Sequence, residues 1–298
     1  MNKEIHYYKN KMKKILLLTF TLFCLIATVS AQCSKVYETR TVKSKILGME
    51  RHYSIYLPAG YDENDCSYPV LYLLHGHGDN HTGWIQFGQV QHIADKAIAE
   101  GKATPMIIVM PDADTVHKGY FNLPDGSYNY EDFFFKELIP HIEKTYRVRA
   151  EKRYRAVSGL SMGGGGALFY ALHYPEMFAA SAPLSAVSGD WTFGQMKSMV
   201  DMSKISAEDV EKYYKQFNVR EILESSEDKA NAIKWVRWYI SCGDDDSLTV
   251  DNSLLHVLLR NYQVGHEYRV KDGGHSWNYW RMELPEVMEF VTKSFSQY

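Results

Sequence analysis

The segment Gly159-Leu160-Ser161-Met162-Gly163-Gly164 sets one serine between glycines, after an apolar run at 154–157 and before a small-residue stretch at 163–172. Strand, tight turn and helix in that order push the serine hydroxyl out of the chain, and only glycines fit two residues either side of it. The hydroxyl then stands at the positive end of a helix, where developing negative charge is stabilised. A serine hydroxyl is a weak nucleophile near neutral pH. It needs a base, and the base needs a third group to hold it.

Ser161 is followed by few candidates for those two roles. His275 lies in the loop Asp272-Gly273-Gly274-His275-Ser276-Trp277, past the end of a strand-like run at 267–270. His256 falls inside an amphipathic helical stretch and His266 begins a strand, so His275 is the expected base. Asp244, Asp245 and Asp246 follow the strand-like run 235–241, where an orienting carboxylate belongs. Asp246 lies 85 residues after Ser161 and His275 lies 29 after Asp246. Position alone does not separate Asp245 from Asp246. Three consecutive aspartates can also cap a helix starting near Ser247 or bind calcium, but the calcium-loop pattern of alternating ligands with a distal Glu is absent. A second oxyanion donor should come from Leu73-Leu74-His75-Gly76-His77-Gly78-Asp79, where the His77 amide would face the site beside that of Met162. His75 and His77 would share a face and suggest a metal pair. No third ligand cluster is evident, so neither a metal nor another cofactor is expected.

Strand-like runs at 36–42, 52–57, 70–74, 106–110, 154–157, 179–184, 235–241 and 267–270 must carry these groups. Helix-like runs fall at 90–100, 130–146, 162–173, 248–262 and 284–295. The first strands leave no room for a helix between them and should pair antiparallel. The later ones alternate with helices, which implies parallel strands and crossovers. The expected fold is a doubly wound, mostly parallel α/β sheet with antiparallel N-terminal strands, with ligands beyond the carboxyl ends of the strands. Residues 185–232 break the alternation. They read as short helices over the site, equally a lid or an ordinary surface excursion. Residues 118–128 are aromatic and turn-rich and should overhang the site. Tyr120, Phe121, Trp191 and Trp277 can wall a phenolic or sugar ring there, or can simply pack loops together.

Hydrophobic residues make up 45% of the 298 and charged residues 23%, as in a globular protein with a large core. Five of the 33 basic residues and one of the 36 acids lie in the first 31 positions, which leaves 28 against 35. That balance argues against nucleic acid or an anionic membrane as partner. Lys11, Lys13 and Lys14 precede an apolar run at 15–29 and the small-residue site Val29-Ser30-Ala31. The pattern predicts a signal peptide over 1–31 cleaved after Ala31, a secreted or periplasmic protein, and one domain over 32–298 without stable membrane insertion. A retained anchor is the alternative. Cys33, Cys66 and Cys242 would remain, too few for a disulfide framework.

Together these stretches resemble the esterase D-like family and, more narrowly, carbohydrate esterase family 1. The resemblance is carried by Tyr72-Leu73-Leu74-His75-Gly76 with Trp84, Glu137-Leu138-Ile139-Pro140 with Tyr146, and the serine turn. It continues through Cys242-Gly243-Asp244-Asp245-Asp246-Ser247-Leu248 and Gly274-His275-Ser276-Trp277 with Trp280. The resemblance implies an α/β-hydrolase fold, a catalytic Ser161, Asp246 and His275, and oxyanion amides at Met162 and His77. It also implies a serine carboxylic-ester hydrolase of the feruloyl or acetyl xylan esterase type, acting on esterified saccharide. The loops that choose the acyl group are too variable to carry over from the family; the candidate substrate contacts, Trp84, Tyr120, Phe121, Trp191 and Trp277, are aromatic residues of this sequence. Alternatives are acyl transfer to sugar hydroxyls, as in mycolyltransferases, a general short-chain esterase, and a silent carbohydrate-binding protein. Export argues against the thioester substrate of the related S-formylglutathione hydrolases.

Overall fold

The computed structural model describes residues 11–14, 33–113, 119–188 and 203–296. The chain divides into two compact units, Met1–Cys33 and Ser34–Tyr298. In the first, residues 11–14 are helical. No helix among the described residues is long and apolar enough to cross a membrane. The apolar run and cleavage site expected at 15–31 lie outside the described residues.

One eight-stranded sheet organises the second unit. Its strands are β1 (Lys35–Ser44), β2 (Met49–Leu57), β3 (Val70–Leu74), β4 (Ile107–Pro111), β5 (Arg155–Leu160), β6 (Ala180–Leu184), β7 (Arg237–Gly243) and β8 (His266–Lys271). They run in the order β1-β2-β4-β3-β5-β6-β7-β8. β2 pairs antiparallel with both β1 and β4, and every other pair is parallel. The helices are α1 (Gly83–Gln86), α2 (Val90–Ala99), α3 (Tyr130–Phe133), α4 (Ile139–Thr145), α5 (Met162–His173), α6 (Ala207–Lys215), α7 (Val219–Glu224), α8 (Glu227–Lys234), α9 (Thr249–Asn261) and α10 (Trp277–Ser296).

Every residue of β3, β4, β5 and β6 is buried, which is why β3 and β4 read as unbroken apolar runs and β5 and β6 break theirs only with Arg155, Ser158 and Ser181. Successive side chains still alternate. Val70, Tyr72 and Leu74 of β3 join the core under α5 and α9, while Leu71 and Leu73 join the core under α2 and α10. The chain leaves β3 for β4 on one side and later places β5 on the other. The carboxyl end of β3 is therefore the switch point of the sheet, where a ligand crevice opens.

Two helices differ from expectation. The run 130–146 is interrupted by a π-helical turn at Phe134–Leu138, immediately ahead of Pro140, which has no N–H to continue the regular ladder. The last helix starts at Trp277, not near Leu284, and runs through Pro285. Its first two turns, rich in Trp, Asn and Tyr, carry little helical signal of their own.

The joint between β8 and α10 is polar and buried. Glu283 is fully buried, receives a hydrogen bond from Tyr239 Oη at 2.8 Å, and pairs with Lys271 Nζ at 2.6 Å. Lys271→Met strands the carboxylate without its cation, and we expect it to cost about 3 kcal/mol of stability. Glu283→Gln, which keeps a partner for Tyr239, should cost clearly less. Urea unfolding of the two variants checks this; a Lys271→Met midpoint equal to wild type would refute the role given to the pair.

Candidate active site

Ser161 stands between β5 and α5 with φ 55° and ψ −117°, a left-handed backbone that costs a serine roughly 1–2 kcal/mol. Its neighbours over-determine it. The Ser161 N–H donates to Leu184 O at 3.0 Å, and Ser161 O accepts from Gly165 N at 3.0 Å and Val187 N at 3.2 Å. A side chain at Gly163 would press into His75 O, so α5 can begin only where a glycine lets it touch the exit of β3.

The other two residues arrive on loops after β7 and β8. His275 Nε2 lies 3.0 Å from Ser161 Oγ, and His275 Nδ1 lies 2.9 and 3.0 Å from the Asp246 carboxylate oxygens. Nδ1 therefore carries a proton toward Asp246, and Nε2 faces the serine as an acceptor. Among the three aspartates, Asp244 and Asp245 are exposed and Asp246 is buried. Burial works to raise the Asp246 carboxyl. Hydrogen bonds from His275, Leu248 N and Ser185 outweigh it and hold the group below the usual carboxylate value. Asp246 thus stays ionised in the dry position where the imidazole needs a counter-charge.

The acid loop and the base loop are sewn together. Asp244 N donates to Lys271 O, Asp245 N to Gly273 O, and Gly273 N to Asp244 Oδ1 at 3.0 Å. Any side chain at Gly243 would run into Gly273 O. Asp244, Asp245 and Asp272 place carboxylate oxygens close together on the surface. Asp244 spends its Oδ1 on the amides of Gly273 and Asp245.

The loop after β3 is held from beneath. Trp84 Nε1 donates to Leu74 O at 3.0 Å, Tyr120 Oη to His75 O at 2.8 Å, and the Ala113 amide to His75 Nε2 at 3.2 Å. With His75 Nδ1 on Gly76 O at 2.9 Å as well, both ring nitrogens of His75 are engaged by the backbone. Gly76 and His77 line the cavity beside Ser161, and Met162 opens α5 directly after it.

That cavity has a volume of about 710 Å³, and its walls include Gly76, Asp79, Asp251, His275, Trp277 and Trp280. Of the candidate substrate contacts among the described residues, only Trp277 is in the wall. Trp84 and Tyr120 are buried to within 1% exposure; they act as struts for the β3 loop and not as walls. Phe121 turns away and packs on Phe169 and Phe217. Trp191, with residues 189–202 of the expected lid, lies outside the described residues. The described part from α6 to α8 buries Phe217, Val219 and Ile222 in the α5-side core, and none of its residues is among the described walls of the cavity.

Ser185 was not legible beforehand. It is fully buried, has φ 45°, and anchors its N–H on Ser241 O at 2.7 Å. Its hydroxyl accepts from Trp280 Nε1 at 3.1 Å, which leaves its own proton for Asp246. Trp280 in turn sets its ring at 89° to His275, 5.0 Å between centroids. The only signal available in the sequence was its place at the carboxyl end of β6. Cys242 lies nearby, but burial pushes its thiol up to about 12, which removes it as a nucleophile.

Asp246→Asn should lower kcat by about 10⁴-fold, with far smaller losses for Asp244→Asn and Asp245→Asn. Ser185→Ala should lower kcat by roughly 10- to 100-fold. Its loss should deepen toward acid pH, because a carboxyl deprived of a donor rises toward its ordinary value and protonates sooner. Steady-state pH profiles of the four variants test this; equal losses at Asp245 and Asp246, or a Ser185→Ala profile parallel to wild type, contradict it.

The family described as "Putative esterase" matches residues 44–291. A solved ferulic acid esterase superposes with a TM-score of 0.78 and 37% identity, covering 88% of this chain and 99% of its own. An endo-1,4-beta-xylanase/feruloyl esterase of Xylanibacter ruminicola is 39% identical over 145 residues, 46% of this chain and 20% of that protein. An esterase of Mycobacterium tuberculosis is 29% identical over 276 residues, 83% of this chain and 57% of that one. The chain thus spans a fifth to about half of the length of these curated relatives. With an elbow serine, an imidazole and a buried carboxylate in one line on a mostly parallel sheet, the chain belongs to this esterase family and has the α/β-hydrolase fold.

Proposed function

We propose that the protein is an exported serine esterase that removes feruloyl or acetyl groups from plant polysaccharide or its fragments through an acyl-enzyme on Ser161. The observation that carries the mechanism is the continuous line Ser161 Oγ–His275 Nε2, His275 Nδ1–Asp246 at the wall of the cavity. Ser161 Oγ attacks the ester carbonyl as His275 Nε2 takes its proton. The backbone amides of Met162 and His77 receive the oxyanion. The tetrahedral intermediate collapses, the C–O bond to the alcohol breaks, and His275 returns the proton to the leaving oxygen. Water then attacks the acyl carbonyl as His275 takes its proton, the bond from the carbonyl carbon to Ser161 Oγ breaks, His275 returns the proton to Oγ, and the carboxylic acid leaves. Asp246 stays ionised throughout and stabilises the imidazolium.

The choice of acyl group is supported by the ferulate-linked names of the relatives at 37% and 39% identity, the second also a xylanase, and by a cavity walled on one side by Trp277 and Trp280. A flat phenolic acyl group and a small acetyl group both fit such a space, and no long apolar channel is present among its described walls. Export is supported by Lys11, Lys13 and Lys14 ahead of the apolar run 15–29.

Purified protein should release ferulate or acetate from esterified xylo-oligosaccharides, and a fluorophosphonate should label Ser161. Ser161→Ala should reduce turnover by at least about 10³-fold. Chromatography of the products separates hydrolysis from acyl transfer to added sugar. Brisk cleavage of long-chain triglycerides with sugar esters untouched would overturn the substrate class. Labelling away from Ser161 would overturn the nucleophile.

A further inference from the structure

The aromatic run that begins at His275 does not end at the cavity. Trp280 stands edge-on to His275, and Trp277 stands edge-on to both Trp280 and Trp84, at 5.4 and 5.1 Å. Phe87 continues the run, 5.9 Å from Trp277 and tilted 37° to it, and leaves 50% of its surface in solvent. An isolated exposed phenylalanine needs no explanation. This one differs in being held. Its N–H donates to Gly83 O at 2.8 Å, and its carbonyl accepts from Arg281 Nη1 at 2.7 Å. An apolar ring with a fixed backbone, contiguous with the wall of a catalytic cavity and packed on its outer side by no core cluster, is a prepared surface.

The chemistry of the reaction says which half of an ester meets it. The carbonyl oxygen must turn toward the amides after β3 and at the start of α5. The leaving oxygen must lie within reach of His275 Nε2, which returns its proton. The alcohol therefore departs along the His275 side, where Trp280, Trp277 and Phe87 follow one another outward. A sugar ring suits this path: its C–H face stacks on aromatic rings while its hydroxyls seek acceptors. Asp79, Asp251 and Ser247 supply acceptors on the cavity wall, and no Lys or Arg stands among the described lining residues. That charge pattern favours a neutral sugar over a uronate.

We propose that Phe87 and Trp277 form a binding site for a neutral pyranose or furanose ring on the alcohol side of the scissile ester. The ligand class rests on the esterase reading above; the site itself is tested without ester cleavage. In Ser161→Ala protein, unesterified arabinoxylo-oligosaccharide should bind in the millimolar range or tighter by calorimetry and shift tryptophan fluorescence. Adding Phe87→Ala should weaken that binding roughly ten-fold, while Phe87→Tyr, which keeps an aromatic face, should retain it. In protein with Ser161 intact, Phe87→Ala should lower kcat/KM on a feruloylated oligosaccharide roughly ten-fold more than on methyl ferulate, through KM. No oligosaccharide binding, or binding unmoved by Phe87→Ala, overturns the site. Equal losses on both esters overturn its assignment to the alcohol side. Intact binding without cleavage of any sugar ester would sink the acyl reading and leave the site standing.

Discussion

At Ser161 the backbone is held where a residue with a side chain does not rest on its own. With φ at 55°, the serine sits in the left-handed region while its carbonyl accepts from two amides and its own N–H reaches across to β6. The strain is small beside the cooperative bonds that impose it, but it dictates much around it. α5 must start against the exit of β3, so Gly163 cannot carry a side chain. The β3 exit must in turn stay put, which is the work of Trp84 and Tyr120 beneath it. The amides proposed to receive the oxyanion, Ser161 and the start of α5 thereby share one corner of the sheet.

A second constraint is electrostatic. A carboxylate as deeply buried as Asp246 stays charged only if donors surround it. His275, Leu248 N and Ser185 do so, and Ser185 is itself committed through Trp280. The same indole stands against the imidazole ring. One tryptophan thus touches the base directly and the acid through a hydroxyl, and it opens the aromatic path that leaves the cavity.

Much of this was legible in the sequence because the central strands are buried on both faces and the strands that carry the site end in short glycine- or aspartate-bearing turns. Ser161 was picked out by the glycine turn after β5 and His275 by the glycines before it, although β8 itself is polar and only partly buried. Asp246 needed the resemblance to the family, since three adjacent aspartates differ only in which way the turn faces them, and the turn is set by the bonds to Gly273. The aromatic candidates misled in an instructive way. Trp84 and Tyr120 lie close to the site in sequence terms, yet an aromatic that props a loop and one that lines a pocket have the same composition signature. Only the direction of a hydrogen bond tells them apart. Ser185 has no pattern at all, because its role depends on meeting Asp246 and Trp280 from three distant stretches. The early start of α10 was hidden by Pro285, which reads as a helix beginning.

The sewing of the two loops after β7 and β8 limits how this protein can vary over evolutionary time. Asp244, Asp245, Gly273 and Lys271 tie the acid-bearing turn to the base-bearing turn bond by bond, and Gly243 leaves no space between them. An insertion or deletion in either turn would throw the partner out of register, so neither can drift in length alone. Phe87 meets this assembly only at its edge, through Trp277 and Arg281. With Trp84 kept as the strut under the β3 exit, position 87 is free to change residue without disturbing the acid–base pair. Descendants of this chain can be expected to diversify there first, exploring new alcohols with an unchanged reaction centre.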